Sequence, residues 1–137
     1  MDEQDTGALP PARSRTIKYL PNSDIIEVRY AGEVSYDFRI GTIDALGRMT
    51  PAGGFRRLLI NYTSAWPIAT PEPKAVAEFG ARMGRLAFTT DARVALVNAP
   101  TDVQVQTNEV LTQGGFVFRQ FDDRVQAVAW LLAERTA

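Results

Sequence analysis

The chain has 137 residues, enough for one domain with a substantial core, and its net charge of -1 comes from interspersed acids and bases. A nucleic-acid-binding domain usually carries a basic excess or a basic stripe, and this sequence has neither, so we expect no nucleic-acid partner. Cysteine and histidine are absent, which excludes disulfides, thiol chemistry, the commonest general base and the commonest zinc ligand. Any catalysis would therefore need carboxylates, Lys, Tyr or a bound cofactor, and we expect no metal and no cofactor.

The first residues predict a tail rather than a folded element. The segment "MDEQDTGALPPARSR" is acidic at its start and has few large apolar residues, so we expect a disordered tail over 1–15 and one domain over 16–137. It has no apolar core of the kind that a secretory signal needs. No apolar stretch approaches the ~20 residues that cross a bilayer, so the sequence predicts no membrane span and, by default, a cytoplasmic location.

Alternating strands and a capped helix are predicted next. "TIKYL" (16–20) and "DIIEVRYAG" (24–32) alternate apolar and polar residues around the turn "PNSD", a pattern typical of an antiparallel hairpin. Ser35 is placed to cap a helix, with Asp37 in its first turn. The apolar side chains of this helix recur at helical spacing, at Tyr36, Ile40, Ile43 and Leu46.

Two aliphatic runs have no alternation at all. Leu58–Ile60 and Val94–Val97 are apolar at every position, which predicts adjacent, buried, parallel strands with both faces covered. The first run ends where the polar segment "NYTSAW" (61–66) begins, so we expect that strand to end at Ile60. Trp66 would then lie in a proline-rich loop.

A second helix is predicted to begin at Thr70, followed by Pro71 and Glu72: a cap hydroxyl, a proline at the first position and an acid. Gly80 and Gly84 lower its helix propensity, which indicates the close approach of another backbone, either the sheet or a second subunit of a homodimer. Its apolar stripe comprises Val76, Phe79, Met83 and Leu86.

The last third of the sequence predicts a helix, a strand and a closing helix. Residues 101–113 form the first helix, and "FVFRQF" (116–121) forms the strand. Asp122 or Asp123 caps the closing helix, a reading that we prefer to a metal site because no further ligand lies near in the sequence. Trp130 is expected to serve packing. The expected inward residues are Val125, Val128, Ala129 and Leu132.

This order of elements predicts an α/β fold. Strands that alternate with helices favour a single-layer, mostly parallel sheet of about five strands, opened by an antiparallel hairpin and flanked by about four helices. The order and four segments resemble the STAS domains, and more closely the SpoIIAA-like family of small bacterial proteins, over residues 16–134. The segments are "VRYAGEVSYDF", "RRLLINYTS", "ARVALVNA" and "FRQFDDRVQAVAWLLAE".

The resemblance implies a non-enzymatic regulatory or protein-binding module. The alternative is a binder of a small apolar or lipid-like ligand, because the lipid-transfer Sec14-type domains resemble this fold. In the antagonist proteins of the family the third strand ends in Asp-x-Ser, and a Ser in an Asp-Ser-Ser-Gly turn is phosphorylated. In this sequence Asn61 and Thr63 stand at the positions of the Asp and Ser of Asp-x-Ser. The segment "ATPE" (69–72) stands at the position of Asp-Ser-Ser-Gly. We therefore expect Thr70 to cap a helix rather than to be an efficient kinase substrate.

Open α/β sheets bind ligands beyond the carboxyl ends of their strands. The candidate surface for a ligand or partner therefore comprises Tyr62, Thr63, Ser64, Trp66, Thr70, Asn98 and Thr101. If it is a recognition surface, Tyr62, Ser64 and Trp66 should be exposed. The sequence leaves a structural alternative open, in which Asn61, Thr63 and Ser64 only satisfy backbone groups. Trp66 would anchor a partner in the first case and fold over a neighbouring helix in the second.

Overall fold

The computed structural model describes residues 14–67, 73–99 and 117–133. Two predicted features lie outside these ranges: the helix over 101–113 and the helix start at Thr70. Within the ranges the chain forms five strands and three helices, in the order β1 (Ser14–Tyr19), β2 (Ile25–Val34), α1 (Tyr36–Arg48), β3 (Phe55–Pro67), α2 (Pro73–Met83), β4 (Phe88–Val97), β5 (Val117–Phe121) and α3 (Arg124–Leu132).

The five strands form one sheet whose spatial order follows the chain, β1-β2-β3-β4-β5. β1 and β2 pair antiparallel, and every other neighbouring pair is parallel. In the centre of the sheet Leu58 lies opposite Val94 and Ile60 opposite Leu96, all of them buried. The predicted fold class and the predicted central pair of parallel strands are therefore confirmed.

Helices cover both faces of this sheet, which explains why its central strands are apolar at every position. On one face Leu58 and Ile60 belong to a core that includes Leu46 from α1 and Phe79 from α2. On the other face the core is smaller, and its residues come from the strands and from α3: Ile25, Leu59, Ala95, Val97, Ala127 and Leu131.

The predicted caps of α1 and α3 are confirmed. The Ser35 side chain accepts a hydrogen bond from the Phe38 N–H at 3.1 Å, and Asp37 lies in the first turn of α1. At α3 the cap is Asp123, which accepts from the Val125 N–H at 3.0 Å. The two adjacent aspartates therefore mark a helix start, as predicted.

The predicted inward face of α3 is wrong for Val125, Ala129 and Leu132, which are exposed, and right for Val128, which packs against the core. Ala127 and Leu131 are fully buried, whereas Val125 is 73% exposed and Leu132 is also exposed. In this rotation Ala127 and Leu131 pack in the core beneath the sheet, and Arg124, the first residue of α3, reaches the sheet and pairs with Glu27.

The predicted end of the third strand is also wrong. β3 does not stop at Ile60 but continues to Pro67, beside the second half of β2. Trp66 is therefore a strand residue, opposite Glu33, rather than part of a loop. The register shifts on the way: Asn61 pairs with Arg29, but Ser64 pairs with Ala31. Two residues of β3 thus lie opposite one residue of β2, which is a β-bulge.

Three smaller expectations can be compared with the structure. β1 begins at Ser14, so the strand starts two residues earlier than the predicted tail allowed. Gly84 lies just past α2, and a Cβ there would approach only carbonyl groups of the helix itself, at Gly80 and Ala81, so the expected contact with the sheet is not made at that position. None of the helices in the described ranges is long and apolar enough to cross a membrane.

Candidate functional site

The candidate surface lies where β3 extends beyond the end of its neighbour β4. β4 pairs with β3 only as far as Asn61 and Val97, while β3 continues beside β2 through residues 64–67. We call residues 62–67 the β3 extension. It stands at the carboxyl edge of the parallel strands, the edge at which open α/β sheets place their binding sites.

Asn61 stabilises the bulge that begins the β3 extension. A bulge leaves backbone groups of the longer strand without their regular partners in the ladder. The buried Asn61 side chain fills this need, because its Oδ1 accepts from the Thr63 N–H at 2.9 Å and from the Thr63 hydroxyl at 2.6 Å. Asn61 therefore has the structural role that the sequence left open, and it holds Thr63 in place.

Thr63 and Asn98 are brought together as the sequence predicted for the ends of two neighbouring strands. The Asn98 side-chain amide donates to the Thr63 hydroxyl oxygen at 3.0 Å. Asn98 adopts a φ of 54°, in the left-handed region, and its backbone N–H donates to the Phe121 carbonyl at 2.9 Å. Both side chains are exposed, so this contact is part of the molecular surface.

A buried charge pair lies next to Asn61. Glu27 is only 1% exposed, and its two carboxylate oxygens accept from Nε and Nη2 of Arg124, each at 2.8 Å. These hydrogen bonds lower the pKa of the Glu27 carboxyl against the opposing effect of burial, with smaller contributions from Arg29 and from the Asn61 amide. Sequence reasoning missed this pair because its members are 97 residues apart.

The bulge sends the candidate side chains in different directions. Tyr62 is buried in the core under α1 and α2, with its ring centroid 5.1 Å from that of Tyr30, so the expectation that it is exposed is wrong. Ser64 and Trp66 are exposed as a recognition surface requires, Trp66 by 44%. We call Thr63, Ser64, Trp66 and Asn98 the edge surface. The remaining predicted site residues, Thr70 and Thr101, lie outside the described residues.

A second polar cluster, on the opposite face from Glu27, was not predicted. Arg39 is 2% exposed, and its guanidinium lies 4.4 Å from the ring centroid of Tyr36 and 4.0 Å from that of Phe79. Nearby, the Tyr30 hydroxyl donates to the Thr42 hydroxyl at 2.8 Å, and burial raises the pKa of Tyr30 above its usual value. The signal was present, since residues 36, 39, 43 and 46 recur at helical spacing.

An open depression adjoins Asn98 at the carboxyl ends of β4 and β5. Its lining is rich in amide and charged groups, from Asn98, Arg119, Gln120, Asp122 and Gln126. This chemistry suits a polar ligand better than the apolar one considered from the sequence. Over the ranges that the structure describes, no group of three or more acidic side chains could hold a metal ion.

Comparison with known proteins supports the fold and leaves the role open. No protein-family model matches the chain, and no curated protein matches it. A solved structure is similar: an uncharacterised protein of the DUF3478 family, with a SpoIIAA-like fold, from Shewanella loihica PV-4. The two share 17% identity with a TM-score of 0.53, over 87% of this chain and 93% of that one. The chain therefore has a SpoIIAA-like fold.

Proposed function

We propose that this chain is a non-enzymatic regulatory module that binds a protein partner, either another protein or a second copy, through the edge surface. The observation that carries the proposal is the position of Trp66, 44% exposed on a strand that outruns its neighbour. The SpoIIAA-like fold supports a module of this kind, although a fold alone does not establish a site.

The chemistry of the edge surface suits recognition of a protein. Tryptophan is among the residues that contribute most to interfaces, and polar groups around such an anchor form the rim that excludes water. Thr63 is held by Asn61 and by Asn98, so its hydroxyl is already ordered before a partner arrives. A surface that is ordered in advance loses less conformational entropy on binding.

Replacing Trp66 by Ala tests the proposal. Because much of the indole is exposed, we expect the melting temperature to change little. The loss of stability should be far smaller than the ~3–5 kcal/mol that removing a fully buried tryptophan costs. Capture of a partner should weaken by about tenfold or more if Trp66 is its anchor. Thermal unfolding measures the first property, and quantitative mass spectrometry of proteins retained by the immobilised chain measures the second.

Tyr19→Ala is the matched control, because Tyr19 is an aromatic residue of similar exposure, 48%, on the edge strand β1, where it pairs with the other end of β2 from Trp66. It should retain the partner that W66A loses. Sedimentation analysis of both variants distinguishes a second copy of the chain from a different protein. A large loss of stability in W66A without a separate loss of binding would contradict the proposal, and so would equal capture by wild type and W66A.

A further inference from the structure

The closing helix α3 is apolar on two faces. Its inner face packs Ala127 and Leu131 into the core. Its outer face also presents apolar side chains: Val125 is 73% exposed, Leu132 is 49% exposed, and Ala129 between them is exposed as well. A helix at a protein surface normally turns polar or charged residues toward water. We call Val125, Ala129 and Leu132 the outer stripe.

The composition of α3 makes the outer stripe unusual. The segment "VQAVAWLLA" (125–133) has no charged residue, and its one polar side chain is the amide of Gln126. Helices that are apolar all round are usually buried all round. The sheet covers only the inner side of α3, so in the part of the chain that the structure describes the outer stripe has no cover. Exposed apolar patches of this kind mark interaction surfaces.

The two ends of α3 carry opposite charges. Asp122 and Asp123 are exposed at its amino end, where Asp123 also caps the helix. At the carboxyl end the guanidinium groups of Arg57 and Arg93 donate to the last carbonyls of the helix. Arg57 is also paired with Asp24, so Arg93 contributes the excess positive charge there. The outer surface of α3 is thus acidic at one end, apolar in the middle and basic at the other end.

This distribution of charge indicates a second copy of the chain as the occupant. When two α3 helices pack antiparallel, the acidic end of each meets the basic end of the other, and the helix dipoles are opposed. A parallel arrangement would bring like charges together. The apolar positions match in the antiparallel orientation too. Val125 lies four residues before Ala129 and Leu132 three residues after it, so Val125 of each copy faces Leu132 of the other.

We propose that the outer stripe of α3 is the interface of a symmetric homodimer, in which the two α3 helices cross antiparallel at Ala129. The small side chain at the crossing point lets the helices approach closely, and a two-fold interface of this kind is self-complementary. One short helix from each copy forms the contact, so the dimer belongs to the weak, reversible class of interfaces. The outer stripe shares no residue with the edge surface, and the two proposals can fail separately.

Val125→Glu tests the interface. Because Val125 is largely exposed in the first turn of α3, where an acid is favourable, the stability of the monomer should not fall. In the dimer the new carboxylate would be buried against Leu132 of the second copy, so the dissociation constant should rise ~tenfold or more. Sedimentation velocity of the full chain over a series of concentrations measures dissociation, and chemical denaturation of the dilute chain measures stability.

Gln126→Glu is the matched control. It adds the same charge to the same exposed turn, but about 100° further round the helix from Val125, so the association should be unchanged.

Cross-linking tests the orientation, because the chain contains no cysteine of its own. With a mild oxidant Ala129→Cys should form a covalent dimer at least ~tenfold faster than Gln126→Cys, since only facing positions approach within disulfide distance. A mixture of Val125→Cys and Leu132→Cys chains should cross-link faster than either variant alone, as the antiparallel arrangement requires.

Several results would overturn the proposal. They are a wild-type chain that stays monomeric at every concentration, equal association of V125E and wild type, and equal cross-linking of A129C and Q126C. Self-association that W66A abolishes and V125E retains would place the contact on the edge surface instead. A V125E chain that is strongly destabilised as a monomer would show that another part of the same chain covers the outer stripe.

Discussion

Replacing Arg124 by Met is expected to lower the free energy of unfolding by ~3–5 kcal/mol at pH 7. The reason is that Glu27, 1% exposed, would stay buried without the guanidinium that donates to both of its oxygens. Glu27→Gln should cost less, because Arg124 is about a third exposed and can turn toward water. Chemical denaturation of the two variants measures this asymmetry.

The effect of Arg124→Met should depend on pH in a defined direction. In the wild-type chain the pKa of Glu27 is lowered on folding, mainly by the hydrogen bonds from Arg124. A lowered folded-state pKa contributes stability above the unfolded pKa, and this contribution is lost as the pH falls through the folded pKa. The stabilities of wild type and R124M should therefore converge on acidification, because protonated Glu27 no longer needs the cation.

Arg29→Met is the control for this prediction. Arg29 also approaches Glu27, but at 3.4 Å and with a side chain that is about half exposed, so its removal should cost under ~1 kcal/mol. If R29M were as damaging as R124M, or if the R124M deficit were unchanged at low pH, the buried pair would not have the role described here.

Replacing Gly54 by Ala is expected to cost about 3 kcal/mol of stability. Gly54 enters β3 at a φ of 101°, a region that a residue with a Cβ occupies only with strain of ~1–2 kcal/mol. A Cβ at this position would also lie 2.9 Å from the backbone of Ala87 and Phe88, where β4 begins. Relieving that contact requires the backbone to shift, which typically costs a further ~1–3 kcal/mol.

The preceding residue is the matched control for Gly54→Ala. Gly53 has a φ of 84°, also in the left-handed region, but a Cβ there would have no atom within 4 Å. Gly53→Ala should therefore show the backbone strain alone, ~1–2 kcal/mol. Urea unfolding of both variants at one temperature isolates the cost of the close approach. Equal losses in the two variants would refute the packing explanation.

The features that could be predicted from the sequence are those with local or periodic causes. Unbroken aliphatic runs at Leu58–Ile60 and Val94–Val97 indicate strands covered on both faces, and they are the central parallel pair. The Ser35 cap is equally local, because its hydroxyl accepts from a backbone N–H three residues on. The meeting of Thr63 and Asn98 followed from topology, since the carboxyl ends of parallel strands lie at one edge.

The bulge in β3 had no such signal. Two residues opposite one change the alternation of side chains along a strand, so the exposure of Ser64 and Trp66, which follow the bulge, could not be read from their positions in the segment. Continued alternation from Leu58 and Ile60 would have placed Tyr62 in the core, where it lies. The polar composition of "NYTSAW" pointed instead to a strand exit.

Buried charge was the other feature that depended on tertiary structure. A glutamate in an alternating strand and an arginine after a helix cap both resemble solvated residues, and the two are 97 positions apart. Their burial follows from the packing of α3 against the sheet, which brings Arg124 to Glu27 on β2. Arg39 similarly falls in the buried stripe of α1 because α2 lies over it. Local propensity and periodicity are properties of neighbouring residues, whereas the pairing of buried charges is a property of elements that meet only after folding.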